Sequence, residues 1–162
     1  MIKIQKAKPS EALEIKKLLR KTWNQAYKDI LTSEQIENVT SEWHSQELLV
    51  KQIEAPDILF LVVKDGDKIV ALCNTDEIKV DNHVNIQRLH VLPGYQRQGI
   101  GAQLIEEIIK RFPKIKKIDL EVEQQNLQAI AFYKKQGFKN VGKKDYNVAN
   151  VTISCLIMEK TI

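Results

Sequence analysis

The chain has 162 residues, of which 43% are hydrophobic, so its length and composition suit one domain that buries its own core. We therefore expect a single domain over residues 1–162. The 25 Lys and Arg residues exceed the 21 Asp and Glu residues by a formal charge of +4, which mildly favours anionic small-molecule partners. Because this excess is scattered and only 6% of the residues are aromatic, we expect no nucleic-acid-binding surface.

The sequence indicates no metal, disulfide or membrane site. Cys73 and Cys155 lie far apart without a paired spacing, and we expect both to be buried thiols. The residues His44, His83 and His90 show no metal-ligand spacing, so we expect no metal. The N-terminus lacks the apolar core of a signal peptide, and no stretch approaches the roughly 18 apolar residues of a membrane span. We expect a cytoplasmic protein that does not contact membranes.

The N-terminal third is predicted to be mainly helical. Residues 2–5 alternate as a short opening strand, and apolar residues then recur at helical spacing in a first helix. Thr32 together with Gln35 indicates the N-terminus of a second helix. A third helical segment is predicted to begin at Thr40 or Ser41, because acidic residues follow these potential N-caps.

The rest of the chain is predicted to alternate strands with two helices. The runs ILFLVVK and KIVALCN flank Asp65-Gly66 as a hairpin, because glycine accepts the positive φ of a tight turn. Further strands are predicted at Val84–Val91, in KKIDLEV, and in the final pair KNVGKKDYNV and VTISCLIME. An amphipathic helix begins at Gly99, and Asn126 and Gly137 mark the ends of the next. This order predicts an α/β (α+β) fold in which a mixed sheet carries helices on its faces.

The segment VLPGYQRQGIG joins a predicted strand to a predicted helix and is the most informative motif. Unpaired N–H groups and the helix dipole at such an N-terminus favour an anion, and glycines let a phosphate approach the backbone. A P-loop would continue as Gly-Lys-Ser/Thr, whereas Gly101 is followed by Ala102 and Gln103, so that motif is excluded. A dinucleotide-binding fingerprint would need a third glycine where Leu104 stands, so that motif fits poorly.

Gln96, Gly99 and Gly101 match the Gln/Arg-x-x-Gly-x-Gly/Ala motif of the GNAT acetyltransferases, which binds the pyrophosphate of coenzyme A. From Val84 to Phe138 the chain also resembles, in order, this family's fourth strand, pyrophosphate loop, fifth strand and cofactor-proximal helix. The resemblance implies a mostly antiparallel sheet of six to seven strands that is flanked by helices and splayed between its fourth and fifth strands. It further suggests a homodimer.

The activity that this resemblance implies is acetyl-CoA-dependent N-acetyl transfer. The acceptor would be the primary amine of a polyamine-like small molecule, a peptide or a protein, and it would attack the thioester directly in a ternary complex. A non-catalytic coenzyme A-binding sensor is the alternative. Such a module would keep Gly99 and Gly101 but would not need Tyr133.

Residue roles follow from the resemblance one position at a time. Tyr133 matches the tyrosine that protonates the departing thiolate, and the Val91 N–H would be an oxyanion donor. Asn126 matches an asparagine that contacts the cofactor, although its position is also that of a plain helix cap. The residues expected to contact the cofactor are Leu89, His90, Val91, Gln96, Arg97, Gln98, Gly99, Ile100, Gly101, Ala102, Asn126, Ala129, Phe132 and Tyr133.

The general base is left open by the sequence, because several family members place a glutamate on the fourth strand where this chain has Asn85. A water chain without a dedicated side chain is one alternative. The side-chain candidates lie on the fifth strand and near the fourth; they are Glu121, Glu123, His83 and His90. Among them, we expect Glu121 to be a catalytic residue.

The acceptor site is expected largely on the first helices. Aromatic and aliphatic residues recur there at helical spacing, and an aromatic residue of the final hairpin would close the other side of the cleft. These expected acceptor-binding residues are Trp23, Tyr27, Ile30, Leu31 and Tyr146. Core packing explains the same pattern, but aromatic rings that face a cleft would suit a cation with an apolar stem.

Overall fold

One seven-stranded sheet runs through the computed structural model, which describes residues 1–162. Its strands are β1 (Ile2–Lys6), β2 (Phe60–Asp65), β3 (Lys68–Thr75), β4 (His83–Val91), β5 (Lys117–Glu123), β6 (Lys139–Val148) and β7 (Val151–Thr161). They lie in the order β1-β2-β3-β4-β5-β7-β6, and every neighbouring pair is antiparallel except β4 and β5. The predicted mixed, mostly antiparallel sheet is confirmed, with seven strands.

Five α-helices accompany the sheet. They are α1 (Ala12–Tyr27), α2 (Ser33–Trp43), α3 (Gln46–Glu54), α4 (Ile100–Arg111) and α5 (Leu127–Lys135). The amphipathic helices bury their apolar positions, so Leu19 of α1 and Leu104 of α4 are fully inaccessible to solvent. Residues 60–63 of β2 are all buried. Because successive strand residues point to opposite faces, both faces of the sheet are covered there.

The sheet divides between β4 and β5, as the resemblance implies. These parallel strands pair only from His83↔Lys117 to Ile86↔Leu120. Beyond that point β4 continues against β3 as far as Val91, whereas β5 continues against β7 as far as Glu123. The two strands therefore separate into a V-shaped opening whose walls still have hydrogen-bonded neighbours on their outer sides.

The helix caps confirm one prediction and correct another. The capping box of Thr32 and Gln35 is confirmed by two reciprocal hydrogen bonds of 3.1 and 2.9 Å. Thr40 and Ser41 do not begin a helix, because they lie within α2 and their hydroxyls donate to backbone carbonyls one turn earlier. The N-cap of α3 is Ser45, whose Oγ accepts an N–H at 3.2 Å. That prediction was wrong because a Ser or Thr hydroxyl satisfies a helical carbonyl as readily as it caps.

A second apolar cluster joins the N-terminal helices to the C-terminal hairpin. Its buried members are Trp23, Tyr27, Ile36, Val39, Val148, Val151, Ile153 and Cys155. The hairpin between β6 and β7 closes through Ala149 and Asn150, whose φ angles of 50° and 61° are the left-handed values of a two-residue turn. This packing carries the aromatic residues of α1 to the mouth of the V-shaped opening.

No helix combines the length with the apolar composition needed to cross a bilayer. No group of three or more His, Cys, Asp or Glu side chains is arranged to hold a metal ion.

Candidate active site

A cleft of about 880 Å³ occupies the opening between β4 and β5. Its walls come from α1, the end of α2, the second half of β4, the following loop and first turn of α4, the end of β5, α5 and the hairpin of β6 and β7. This volume lies within the roughly 300–1,000 Å³ that small-molecule sites usually have. The division of the sheet thus creates a ligand-sized site without interrupting the core.

The loop from β4 to α4 lines this cleft with backbone N–H groups that have no protein partner. The first α4 amide to donate within the protein is that of Gln103, to the Gly99 carbonyl at 3.0 Å. The N–H groups from Arg97 through Ala102 donate to no protein acceptor. Arg97 and Gly99 both have left-handed backbone, with φ of 65° and 81°, a feature of anion-binding nests. Together with the α4 dipole, these amides form a site for a phosphate-type anion.

The two glycines of this loop serve different purposes. Gly99 needs its positive φ, while the space around it is open. A Cβ on Gly101 would lie 2.8 Å from Cζ of Phe132, so this glycine permits the close packing of α4 against α5. The sequence assigned both glycines to the approach of a phosphate. The structure also gives Gly101 a packing role, which depends on a residue 31 positions later in the chain.

The end of β4 points an unpaired backbone N–H into the opening. The Leu92 N–H donates to the Val70 carbonyl of β3 at 2.9 Å, so alternation of the ladder turns the N–H groups of Leu89 and Val91 away from β3. Gln96 donates from Nε2 to the Val91 carbonyl at 2.9 Å. The Val91 carbonyl is therefore satisfied, while its N–H is free to bind an oxygen in the cleft.

Tyr133 of α5 lines the same cleft and is only 8% exposed. Its ring packs between Phe132 and Phe138, with centroids 5.2 and 5.6 Å away. Its hydroxyl makes no hydrogen bond with the protein, and burial raises the pKa of the phenol. Tyr133 thus holds its proton at neutral pH and has no competing protein acceptor for it.

Four further aromatic rings line the cleft. Trp23 is 4.4 Å from Tyr27 and 5.8 Å from Trp43, between ring centroids, and Trp43 is 5.8 Å from Tyr146. The hydroxyl of Tyr146 donates to the carboxylate of Glu121, which also lines the cleft. An aromatic wall with a carboxylate at its edge suits an organic cation.

The structure separates the four candidate bases. Glu121 and Glu123 both line the cleft from β5, and burial raises the pKa of Glu123. His90 also lines it, but burial and then the charge of Arg88 lower its pKa to about 4. His83 does not line the cleft, because its Nε2 lies 2.9 Å from Asp119 on the paired part of the sheet.

Most of the residues expected from the sequence line the cleft, and three do not. Ile30 and Leu31 border a separate cavity of about 170 Å³ behind Trp23 and Tyr27. Gln98 turns away, and its Nε2 donates to the Gly94 carbonyl at 3.2 Å. Helical spacing placed Ile30 and Leu31 beside the aromatic rings, but α1 ends at Tyr27 and the chain then turns.

Sequence reasoning missed several side chains of the cleft wall, among them Trp43, His44 and Arg88. Trp43 and His44 lie at the end of α2, where the boundary between two helices was misplaced. The burial of Arg88 could have been predicted from the sequence, because Arg88 continues the alternation of the buried residues Val84 and Ile86 along β4. A charged residue at such a position indicates a buried polar network.

Both cysteines are buried, as predicted. Cys155 nevertheless lines the cleft, which its sequence position did not suggest. Burial raises the pKa of Cys155 to about 12, and burial also raises the pKa of Cys73. Neither thiol is ionised at neutral pH, so neither is prepared for nucleophilic attack.

Comparison with known proteins agrees with this geometry. Residues 15–138 match the acetyltransferase (GNAT) family. A spermidine N(1)-acetyltransferase from Thermoplasma acidophilum is 30% identical over 145 residues, which are 85% of this chain and 88% of that protein. The peptidyl-lysine N-acetyltransferase YjaB of Salmonella typhimurium is 34% identical over 92 residues, 57% of this chain and 56% of its own length. The crystal structure of the PaiA N-acetyltransferase from Thermoplasma acidophilum with coenzyme A has a TM-score of 0.87 and 28% identity, covering 100% and 99% of the two chains.

The chain therefore belongs to the GNAT acetyltransferase family. It is an N-acetyltransferase, and acetyl-CoA is its cofactor. The residues present fit that cofactor, because unpaired amides at the start of α4 suit a diphosphate and the separated strands leave a free Val91 N–H. The buried, proton-bearing phenol of Tyr133 lies in the same cleft.

Proposed function

We propose that the chain acetylates a primary amine of a polyamine by direct attack on the thioester. The observation that carries this proposal is the aromatic wall of Trp23, Trp43 and Tyr146 with the Glu121 carboxylate at its edge. Such a wall attracts an alkylammonium through its ring faces and its carboxylate, while the methylene stem packs on the rings. The match to a spermidine acetyltransferase over 85% of the chain supports this acceptor.

The cofactor supplies an acetyl group activated as a thioester. The amides from Arg97 to Ala102 would bind its diphosphate, and the Val91 N–H would donate to the acetyl oxygen. One such donor is typically worth about 3 kcal/mol of barrier. Gln96 supports this donor by engaging the Val91 carbonyl, which fixes the peptide plane.

Two side chains then manage the protons. Tyr133 keeps its phenolic proton at neutral pH and delivers it to the leaving group, a step typically worth about 10²–10⁴-fold in rate. Glu121 holds the incoming ammonium through its carboxylate and receives the proton that the amine must lose. Glu123 is the second candidate: its Oε2 accepts the Gln125 N–H at 2.6 Å, while Glu121 Oε2 accepts from the Tyr146 hydroxyl.

The test is thiol release from acetyl-CoA with spermidine, spermine, a matched monoamine and a lysine-containing peptide as acceptors. We expect kcat/KM for the polyamines to exceed that of the monoamine by about tenfold or more, since one desolvated cation–π contact is worth up to ~2 kcal/mol. Mass spectrometry of the product identifies the acetylated amine. Preference for the peptide over every polyamine would contradict the proposal.

A pair of charge-removing variants isolates the role of the carboxylate. Glu121→Gln removes the charge at the aromatic wall, whereas Glu107→Gln removes an equivalent charge on α4 that pairs only with Arg111. The first variant should abolish the preference for polyamines over the monoamine, and the second should retain it. Equal behaviour of the two variants would exclude Glu121 from acceptor binding.

A further inference from the structure

Arg88 is a buried cation without a counter-ion. It is only 5% exposed, and its guanidinium donates to the Trp43 carbonyl at 2.7 Å and to Gln52 Oε1 at 2.6 Å. Its other close acceptors are His44 Nδ1 at 3.0 Å and Asn74 Oδ1 at 3.2 Å. All of these acceptors are neutral, whereas a buried arginine is ordinarily paired with a carboxylate. Burial lowers the pKa of Arg88 to about 10, so the charge persists at neutral pH.

The imidazole beside Arg88 has a fixed tautomer. Because Arg88 Nε donates to His44 Nδ1, the proton of the neutral imidazole is on Nε2, where it has no partner. Burial and then the Arg88 charge lower the pKa of His44 well below its usual range. His44 therefore adds no charge of its own to the surroundings of Arg88.

The second imidazole is fixed in the same way. The Thr22 hydroxyl donates to the Leu19 carbonyl at 3.1 Å, so it accepts from His90 Nδ1 at 3.0 Å. The lone pair of His90 Nε2 therefore has no hydrogen-bond partner in the protein. The His44 and His90 rings lie 6.4 Å apart, and both are uncharged at neutral pH. Among Arg88, His44 and His90, only Arg88 is therefore charged.

The remaining ionisable groups of the cleft divide its charge between two sides. Tyr27, Tyr95, Tyr133, Tyr146 and Cys155 all have raised pKa values and are neutral. The other charged residues in the lining are Arg97 on the loop, Lys135 on α5, and Glu121 and Glu123 on β5. A polycation therefore meets carboxylates on the β5 side and an uncompensated cation on the β4 side, next to the strand end that holds the Val91 N–H.

We propose that the uncompensated charge of Arg88 favours the neutral, nucleophilic form of the acceptor amine in the bound complex. The proposal rests on the proposed function only in taking an amine as the acceptor. A lysine-type amine has a pKa of about 10.4, so only about one molecule in a thousand is neutral at pH 7.4. A unit charge in a partly buried site shifts a neighbouring pKa by about one unit or more, which is tenfold in the reactive fraction.

The test places a counter-ion beside Arg88 without entering the cleft. Gln52 does not line the cleft, and its Oε1 accepts from Arg88 while its Nε2 makes only a 3.3 Å bond to Gln87. Gln52→Glu therefore keeps the shape of the side chain and adds a negative charge that compensates the positive charge of Arg88. Gln52→Met is the matched control, because it loses the same Gln87 bond but adds no charge. If Gln52→Glu does not fold, Asn74→Asp offers a carboxylate that also lies outside the cleft lining, because Asn74 Oδ1 accepts from Arg88 Nη1 at 3.2 Å.

The pH profile of kcat reports the ionisation of the bound amine, whereas the profile of kcat/KM reports the free amine. In Gln52→Glu we expect the acid limb of kcat to move up by about one pH unit, while the limb of kcat/KM stays in place. Turnover at pH 7 should fall about tenfold. In Gln52→Met both limbs should stay where they are in the unmodified protein.

A readout independent of turnover is the proton NMR titration of the histidine ring protons without cofactor. In Gln52→Glu the pKa of His90 should rise, because the Arg88 charge that lowers it is compensated, and in Gln52→Met it should not. An unchanged kcat limb in folded Gln52→Glu would overturn the proposal, whether or not His90 responds. If no polyamine is acetylated but another amine is, the proposed acceptor is wrong. The pH profiles of kcat and kcat/KM, measured with that other amine, then still decide the role of Arg88.

Discussion

At the scale of single residues, burial decides which groups of the cleft are charged. The phenol of Tyr133 and the thiol of Cys155 keep their protons because desolvation raises their pKa values. The imidazole of His90 loses its proton for the same reason, with a pKa of about 4. Each of these groups is therefore neutral near pH 7. Tyr133 alone among them combines a retained proton with a hydroxyl that has no protein partner, which supports its proposed role as the acid.

Replacement of Tyr133 by phenylalanine removes that proton while keeping the ring contacts with Phe132 and Phe138. We expect kcat to fall by about tenfold or more, because general acid catalysis contributes about 10²–10⁴-fold. The affinity for coenzyme A, measured by calorimetry, should be unchanged. A variant with normal turnover would remove Tyr133 from the mechanism, and a variant with weakened cofactor affinity would assign it to binding instead.

At the scale of the elements, the site depends on how closely α4 and α5 approach each other. The amides at the start of α4 and the phenol on α5 must face one cleft, and Gly101 is the point where the two helices touch through Phe132. The capped start of α5 contributes to the same arrangement, since Asn126 Oδ1 accepts the Ala129 N–H at 3.2 Å. The contact between these two helices therefore sets the spacing between the unpaired amides of α4 and the Tyr133 phenol.

We expect Gly101→Ala to destabilise the fold by about 1–3 kcal/mol, because the new methyl group overlaps the Phe132 ring. The affinity for coenzyme A should fall as well, since the start of α4 must shift. Thermal unfolding and calorimetry measure the two effects. The double variant Gly101→Ala with Phe132→Leu supplies the control, because a smaller side chain relieves the overlap. Failure of the second change to restore any stability would show that the Phe132 contact is not the cause.

At the scale of the whole molecule, stability depends on two neutral histidines in the polar network around Arg88. His44 is 5% exposed, and burial lowers its pKa well below the usual value of 6.5. The pKa of His90 falls to about 4. On unfolding, both imidazoles return to their ordinary affinity for protons. Below pH 6.5 the unfolded chain therefore binds protons that the folded chain excludes.

Above about pH 6.5 these two histidines should leave the free energy of unfolding constant. As the pH is lowered from there toward 4, they should make it fall. The expected slope is about 1.4 kcal/mol per pH unit for each imidazole. Denaturant titrations at intervals of roughly half a pH unit, from about pH 4.5 to about pH 7.5, measure this slope. His90→Gln should reduce the slope by about 1.4 kcal/mol per pH unit, which is the contribution of one imidazole. An equal slope in that variant would rule out His90 as a source of the acid sensitivity.

Local patterns in the sequence were sufficient for most elements and for the cofactor loop. Asp65-Gly66, Asn126 and Gly137 each marked an element end, because a turn or a cap is satisfied by residues within a few positions of one another. The Gln96-x-x-Gly99-x-Gly101 motif is equally local, since its amides belong to one loop. The start of α3 was misplaced because Thr40, Ser41 and Ser45 all carry hydroxyls able to cap, and only the backbone path decides which one does.

The family, the order of the elements and the loop proposed to bind a diphosphate could be predicted from the sequence, because each of these depends on contacts between near neighbours in the chain. The tertiary structure alone decided which polar residues share the cleft. Arg88, His44 and Gln52 lie on three different elements, and Glu121 meets Tyr146 only through the pairing of β5 with β7 and of β7 with β6. The charge of a buried group depends on such distant neighbours, so protonation states appear only when the chain is folded.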